Sequence, residues 1–429
     1  MTQHHSEMAA EANTCLRLGG LLLASGAAGY RVIRAVKRCA RSLGFDNADV
    51  LVGFNTISCT FHRGEEFRTV VADVPVPGVN ASRIEALEST AHSLLASYRT
   101  ADEINAALDE IERIPTPRWG LRVSTAAAGF ACAGFAVLNQ FGCLAAALVC
   151  LAAAAGQLVR VKLAHAHFNQ LGVTMAAALV ASVSFLALAA VLPVDDSIAP
   201  GFVASVLFLI PGFPLFSSFV DLARFDFTAG IPRLVFALEI IVVTMLTVSV
   251  VAMLSGTPEA PTQAVPDTLE FFLGCAVASF VSVGCFALLF NSSRRMALSA
   301  AVLGMLANLG RLVLLAAGVR SFLAAFLAAL AIGLAGSWLG RATGVPRVTV
   351  TIPATLVMIP GTAIYAAVHS FAISDITDAL TRFTEVTFVV LFIAGGLAVA
   401  RMLTDPTWAF SRYIDFDAEL DGALGANDP

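Results

Sequence analysis

The chain has 429 residues, room for two or three ordinary domains, but 58% of them are hydrophobic and only 13% are charged, which excludes a soluble globular protein. The same balance, with 30 Phe, excludes a disordered chain or a coiled coil. A net charge of −5 with scattered basic residues excludes a nucleic-acid binder, which needs clustered cations; the solvent is a bilayer.

Up to Arg118 the sequence is rich in Arg, Asp and Glu, and beyond Trp119 it becomes long apolar runs. The opening MTQHHSEM lacks a basic stretch leading into an apolar one, so no cleavable signal is expected, and the run from Leu18 to Tyr30 is too short to span. Residues 1–118 are therefore expected to form a cytoplasmic α+β domain. Its first element is a long helix from Glu11 to Leu43, stopped by Gly44. Strands follow at Val50 to Phe54, Ile57 to His62 and Phe67 to Val74, with Arg63-Gly64-Glu65 as a turn. Asn80 and Thr100 read as N-caps of helices Ala81 to Ser97 and Ala101 to Ile114, and Pro115 and Pro117 stop the second.

A helical span needs roughly 20 apolar residues. That rule places ten spans, near 120–138, 141–159, 173–193, 201–220, 231–254, 268–290, 296–317, 320–340, 348–370 and 384–403. Arg160/Lys162, Arg224/Arg233, Arg294/Arg295, Arg341/Arg347 and Arg401/Arg412 fall on one side. Asp195/Asp196, Glu259/Asp267 and Asp375/Asp378 fall on the other, with Arg320 and Arg382. The positive-inside rule then puts both termini in the cytoplasm. Five of the eight cysteines, Cys132, Cys143, Cys150, Cys275 and Cys285, lie in apolar runs without the close pairing that a zinc site or disulfide framework needs.

Two spans carry the same break, Ile210-Pro211-Gly212 and Ile359-Pro360-Gly361, 149 residues apart. The offset also pairs Ala223 with Ala372, Asp226 with Asp375, Thr228 with Thr377 and Arg233 with Arg382, giving seven identities in 24 positions. It divides the membrane part into 119–255 and 256–429, with five spans each. An odd number makes the second copy enter the membrane from the opposite side. Inverted repeats meeting at broken helices are a carrier's architecture, with the substrate near the midplane, and the freed backbone groups need a cavity or a ligand.

In the ninth span Thr351, Thr355, Thr362, Tyr365 and His369 follow helical spacing and are expected to line a path. Ser217 and Ser218 lie one turn from Asp221, which the offset places beside His369, so each mouth of the path holds one titratable side chain. Glu239 and Arg311, the latter near Asn308, are deep charges and hence functional candidates, unless they form structural pairs with each other, Arg233 or Arg382. Arg311 suits a carboxylate and Glu239 an ammonium group or a coupling proton. The expected substrate-binding set is Pro211, Gly212, Ser217, Asn308, Arg311, Pro360, Gly361, Thr362 and Tyr365. For coupling and gating it is Asp221, Arg233, Glu239, His369 and Arg382.

This chemistry fits a small hydroxylated zwitterion and leaves a dicarboxylate open. The chain has no Gly-Lys phosphate loop and thus no sign of ATP drive. His165 and His167, like His4 and His5, lack nearby acidic or Cys partners and read as loop residues. No catalytic pair, metal or other cofactor is expected. The expected partners are a small-molecule substrate and the lipid bilayer, with no nucleic acid, and a homo-oligomer stays an open option.

Leu23-Ala24-Ser25-Gly26-Ala27-Ala28-Gly29-Tyr30-Arg31-Val32, the Thr56-Ile57 strand, and Ile210-Pro211-Gly212 with Asp221 and Arg233 resemble the threonine/serine exporter family of bacterial inner-membrane carriers. The resemblance covers nearly the whole chain and matches the family's fused form, a cytoplasmic domain before two five-span halves. It departs at Ile33, where the family pattern has an acidic residue. It implies export of threonine and serine driven by the proton motive force, some split members being associated with dicarboxylate export. A membrane sensor or scaffold, with the N-terminal part as its output, is the reading from another class.

Overall fold

The computed structural model describes residues 2–75, 78–94, 98–192, 201–256, 266, 268–405 and 408. Asp195, Asp196, Glu259, Asp267 and Arg412, used above to orient the spans, lie outside them, as do the side chains of His4 and His5.

The N-terminal part begins with two helices, α1 (Thr2–Ala24) and α2 (Gly29–Ser42), where one was expected. The break is local chemistry. Gly26 takes a left-handed φ of 88°, its amide donating to Leu23 and that of Ala27 to Leu22, a glycine stop that closes a helix end. A β-carbon at Gly26 would sit 2.6 Å from the Gly78 carbonyl oxygen, so the turn also needs the missing side chain. Strands β1 (Asn47–Val52), β2 (Thr56–Arg63) and β3 (Glu66–Asp73) form an antiparallel sheet in the order β1-β2-β3. Period-two alternation sends Ile57, Cys59 and Phe61 of β2 into the core under α1 and α2. Helices α3 (Ala81–Ser93) and α4 (Ala101–Glu112) start at Asn80 and Thr100, whose side chains accept from Arg83 N and Glu103 N, as N-caps do. Arg17 ties α1 to Asp109 and Glu112 of α4, and Arg31 ties α2 to Glu88 of α3.

The membrane part comprises α5 (Leu121–Leu138), α6 (Cys143–His165), α7 (Gln170–Val191), the short α8 (Gly201–Ala204), α9 (Gly212–Leu222) and α10 (Phe227–Ser255). It continues with α11 (Leu269–Leu289), α12 (Arg294–Ala316), α13 (Ser321–Thr343), α14 (Arg347–Leu356), α15 (Gly361–Ala372) and α16 (Ile376–Thr404). Eight of these are single helices long and apolar enough to cross a membrane. Two bent pairs, broken by 60° before Gly212 and by 56° before Gly361, raise the number among the described residues to ten. Proline explains both bends, because it lacks the N–H that would continue the ladder.

The packing repeats as the sequence does. α5 packs on α6, α6 on α7, and α7 and α9 on α10, just as α11 packs on α12, α12 on α13, and α13 and α15 on α16. Between the halves α5 meets α11, and α10 meets α15 as α16 meets α9. α5 and α11 run antiparallel. Trp119 Nε1 donates to Ser292 O at 3.0 Å, where one helix begins and the other has ended. Deeper in, Ser282 Oγ donates to Ala131 O at 2.8 Å, and Gly134 lies against Ala278. Small residues there let the two backbones approach, as in other membrane helix pairs.

The N-terminal part holds both halves. Gly29 N donates to Asp221 at 3.1 Å and Arg233 to Ala27 O at 3.0 Å in the first half. In the second, Ala81 N donates to Phe290 O at 3.0 Å, and Asn291 Nδ2 to Val79 O at 2.9 Å. Tyr30 and Arg31, central to the sequence resemblance, lie at this junction. Tyr30 stands edge-on to Trp408 with ring centroids 6.4 Å apart, and the Arg224 guanidinium sits 4.7 Å from its ring.

Candidate substrate cavity

The first helix break opens on a cavity of about 830 Å³, inside the size range of small-molecule sites. Its wall combines Phe208 to Pro211 at the break, Ser124 of α5, Gln157, Arg160 and Val161 of α6, Phe236 and Ile240 of α10, and Phe286 near the end of α11. Gly78, Val79, Pro117 and Trp119 line its rim on the side of the N-terminal part. Because Pro211 has no N–H and Gly212 N turns back to Ile210 O at 2.8 Å, the Phe208 carbonyl loses both helical donors and can accept a ligand N–H.

Arg160, His165 and His167 are the titratable side chains of the lining, and no carboxylate accompanies them among the described residues. Gln157, 4% exposed, donates from Nε2 to Ser124 Oγ at 2.8 Å, while its Oε1 is buried without a partner. The cavity thus combines a guanidinium for a carboxylate with an amide oxygen and a carbonyl for an N–H or O–H. Sequence reasoning used Arg160 only as an orienting charge and set His165 and His167 in a loop; both histidines are exposed and reach the cavity mouth. The missed signal is a recurrence: Gln157-Leu158-Val159-Arg160 returns as Asn308-Leu309-Gly310-Arg311.

Of the expected residues, Pro211 lines the cavity, and Gly212 beside it packs on the Leu356 side chain. Ser217 is buried and donates to Pro214 O at 3.2 Å, lining a small neighbouring cleft with Arg233. Asp221 and Arg233 are buried and joined to each other at 2.8 Å. At the second break a β-carbon on Gly361 would lie 2.6 Å from the Phe135 ring, and Asn139 Oδ1 accepts from Thr362 N at 3.1 Å. Gly361 is therefore packed against α5, with Pro360 half-buried and Thr362 exposed beside it. Tyr365 is buried between Phe202 and His369, at centroid distances of 5.7 and 6.2 Å. The half-buried His369 keeps an unpartnered Nδ1.

The expected stripe from Thr351 to His369 is not one face. The 56° bend separates α14, where Thr355 bonds back to Ile352 O at 2.8 Å, from α15. Glu239 and Arg311 do not pair. Arg311 Nε donates to Asn308 Oδ1 at 2.8 Å, whereas Glu239 is exposed on the outer side of α10 with Val235, Leu238 and Val242. Arg382 lies at the surface beside Asp378 and Glu385.

Helices of membrane length arranged around a break that opens on a cavity make up a multi-pass membrane protein with a candidate substrate site. Residues 13–255 match the family described as "Putative threonine/serine exporter", and residues 275–403 match "Threonine/Serine exporter, ThrE". The chain belongs to the threonine/serine exporter family. A Mycobacterium tuberculosis (strain ATCC 25618 / H37Rv) protein, "Probable threonine/serine exporter", is 23% identical over 413 residues, 91% of this chain and 76% of that protein. Two proteins named "Probable succinate transporter subunit YjjP" are each 26% identical. The one from Klebsiella aerogenes aligns over 54% of this chain and 89% of its own length, the one from Escherichia coli (strain K12) over 51% and 84%. No solved structure matches the chain.

Proposed function

We propose that the protein is a proton-coupled secondary exporter of threonine and serine, working by alternating access between two inverted five-span halves, 119–255 and 256–429. Residues 1–118 are its cytoplasmic α+β domain, and the inner membrane holds it with both termini inside. One observation carries this reading: two matched Pro-Gly breaks stand in halves whose first helices run antiparallel, and the break at Pro211 opens on a cavity. Broken helices at matched positions of oppositely running repeats, beside a cavity of substrate size, are what an alternating-access carrier requires. The antiparallel contact of α5 with α11 supports the inverted relation.

In this conformation the cavity faces the cytoplasmic domain and loads substrate. Arg160 holds the carboxylate, the Phe208 carbonyl and Gln157 Oε1 take the ammonium and hydroxyl groups, and the aromatic wall excludes water. His369, half-buried with an unpartnered Nδ1, is the proton-carrying group of this scheme, and Glu239, which faces outward, is left out of it. The name of the M. tuberculosis relative agrees with it. A second reading, dicarboxylate export, is favoured by a lining that holds cations and no carboxylate among the described residues, and by the names of the two succinate-related proteins.

Counterflow in proteoliposomes with labelled threonine, serine and succinate, with and without a pH gradient, tests both. Exchange of threonine and serine, accumulated when a pH gradient is imposed, is the expected result. Exchange of succinate alone selects the second reading, and exchange of none removes transport of these solutes.

A further inference from the structure

The amide-Leu-x-Arg signature occurs at the same place in two helices. α6 and α12 have 23 residues each, and Arg160 and Arg311 stand at the same position in them. Each buried amide donates to a serine of the preceding helix, Gln157 to Ser124 at 2.8 Å and Asn308 to Ser279 at 2.9 Å. Neither guanidinium has a carboxylate within ion-pair distance among the described residues. An uncompensated charge within a membrane span costs several kcal/mol, so such residues stand where function needs them.

The two clusters differ in one bond. Arg311 Nε is latched onto Asn308 Oδ1 at 2.8 Å. Arg160 makes no such bond, and the Gln157 oxygen is left vacant at the cavity wall. The unlatched cluster lines the cavity at the Pro211 break, and the latched one belongs to the other half. Because α5 and α11 run antiparallel, the clusters face opposite ends of the bundle, their serines separated by roughly 15 Å along it at the usual helical rise.

We propose that Ser124–Gln157–Arg160 and Ser279–Asn308–Arg311 are paired carboxylate sites, one serving each access state. Substrate carboxylate is bound by Arg160 on the side of the N-terminal part and released from Arg311 on the other. In each half the arginine folds back onto its amide when that side closes. This assignment rests on the alternating-access reading above, and its ligand class is a small carboxylate, whether amino acid or dicarboxylate.

Oriented vesicles of the full chain, right-side-out and inside-out, test it with labelled threonine and succinate. Arg160→Gln should raise the half-saturating concentration roughly tenfold or more, the worth of a charged hydrogen bond, for substrate offered on the N-terminal side, and change it little from the other. Arg311→Gln should do the reverse. Lysine at either position should give a smaller, same-sided defect, since it keeps the charge and loses the fork; these variants replace any glutamine variant that fails to fold. Equal effects from both sides, or normal affinity in folded variants, would overturn the paired sites while leaving transport intact. A wild-type chain that exchanges neither solute would overturn transport and the paired sites together.

Discussion

Asp221 shows how much a single side chain depends on its surroundings. Its carboxylate is fully buried, yet it accepts from Arg233 Nη1 at 2.8 Å and from Gly29 N at 3.1 Å, and Arg233 spends its other terminal nitrogen on Ala27 O. Breaking a buried pair by removing one charge strands the other, at about 3–5 kcal/mol. Asp221→Asn should therefore lower stability by about that amount and loosen the α1–α2 corner, read as faster proteolysis at residues 25–28 in detergent. Replacing both charges with apolar residues should recover most of the loss; a stable single variant would show that the pair is dispensable. The sequence marked Asp221 and Arg233 as important but not as mutual partners, because the contact also draws in a loop about 190 residues away, as Gly29 to Asp221 shows. For Glu239, hydropathy locates depth along the helix but not which way the side chain faces.

At the scale of elements, punctuation was legible and continuity was not. Pro211 and Pro360 mark the breaks, Asn80 and Thr100 the caps, and the matched Asp226 and Asp375 turn out to cap α10 and α16. They follow residues of equal left-handed backbone, Phe225 at φ 62° and Ser374 at φ 66°. That part of the repeat therefore encodes turn geometry rather than transport chemistry. The Thr351-to-His369 stripe failed because a helical wheel assumes a straight axis. Gly212 tests the open break. Its α-carbon lies against Leu356 of α14, where an added methyl overlaps the side chain, and such overpacking costs about 1–3 kcal/mol. Gly212→Ala should slow counterflow while the chain stays folded, and Leu356→Ala in the same chain should restore the rate by clearing the space. Unchanged exchange in the single variant would show that this contact does not set the break.

Across the whole molecule, exchanging α5–α10 with α11–α16 maps the main packing contacts onto themselves. The offset of 149 found this around the breaks, but the Arg160 and Arg311 helices align at 151. The lengths between matched elements differ, and one rigid offset slips out of register. If the halves are inverted, the loop after α6 and the loop after α12 lie on opposite faces. His167→Cys and Arg320→Cys, in a background with the exposed Cys143 replaced by Ser, should react with an impermeant thiol reagent from opposite sides of the membrane. Labelling of both from one side would exclude the inverted arrangement.

The junction at Gly29, Asp221, Val79 and Asn291 carries a mechanical consequence. A single folded cap is bolted to a corner of each half, so tilting one against the other must bend the cap or pull a bolt. If the halves rock as proposed, its stiffness enters the work of every stroke, making the N-terminal part a spring in series with the carrier rather than a bystander.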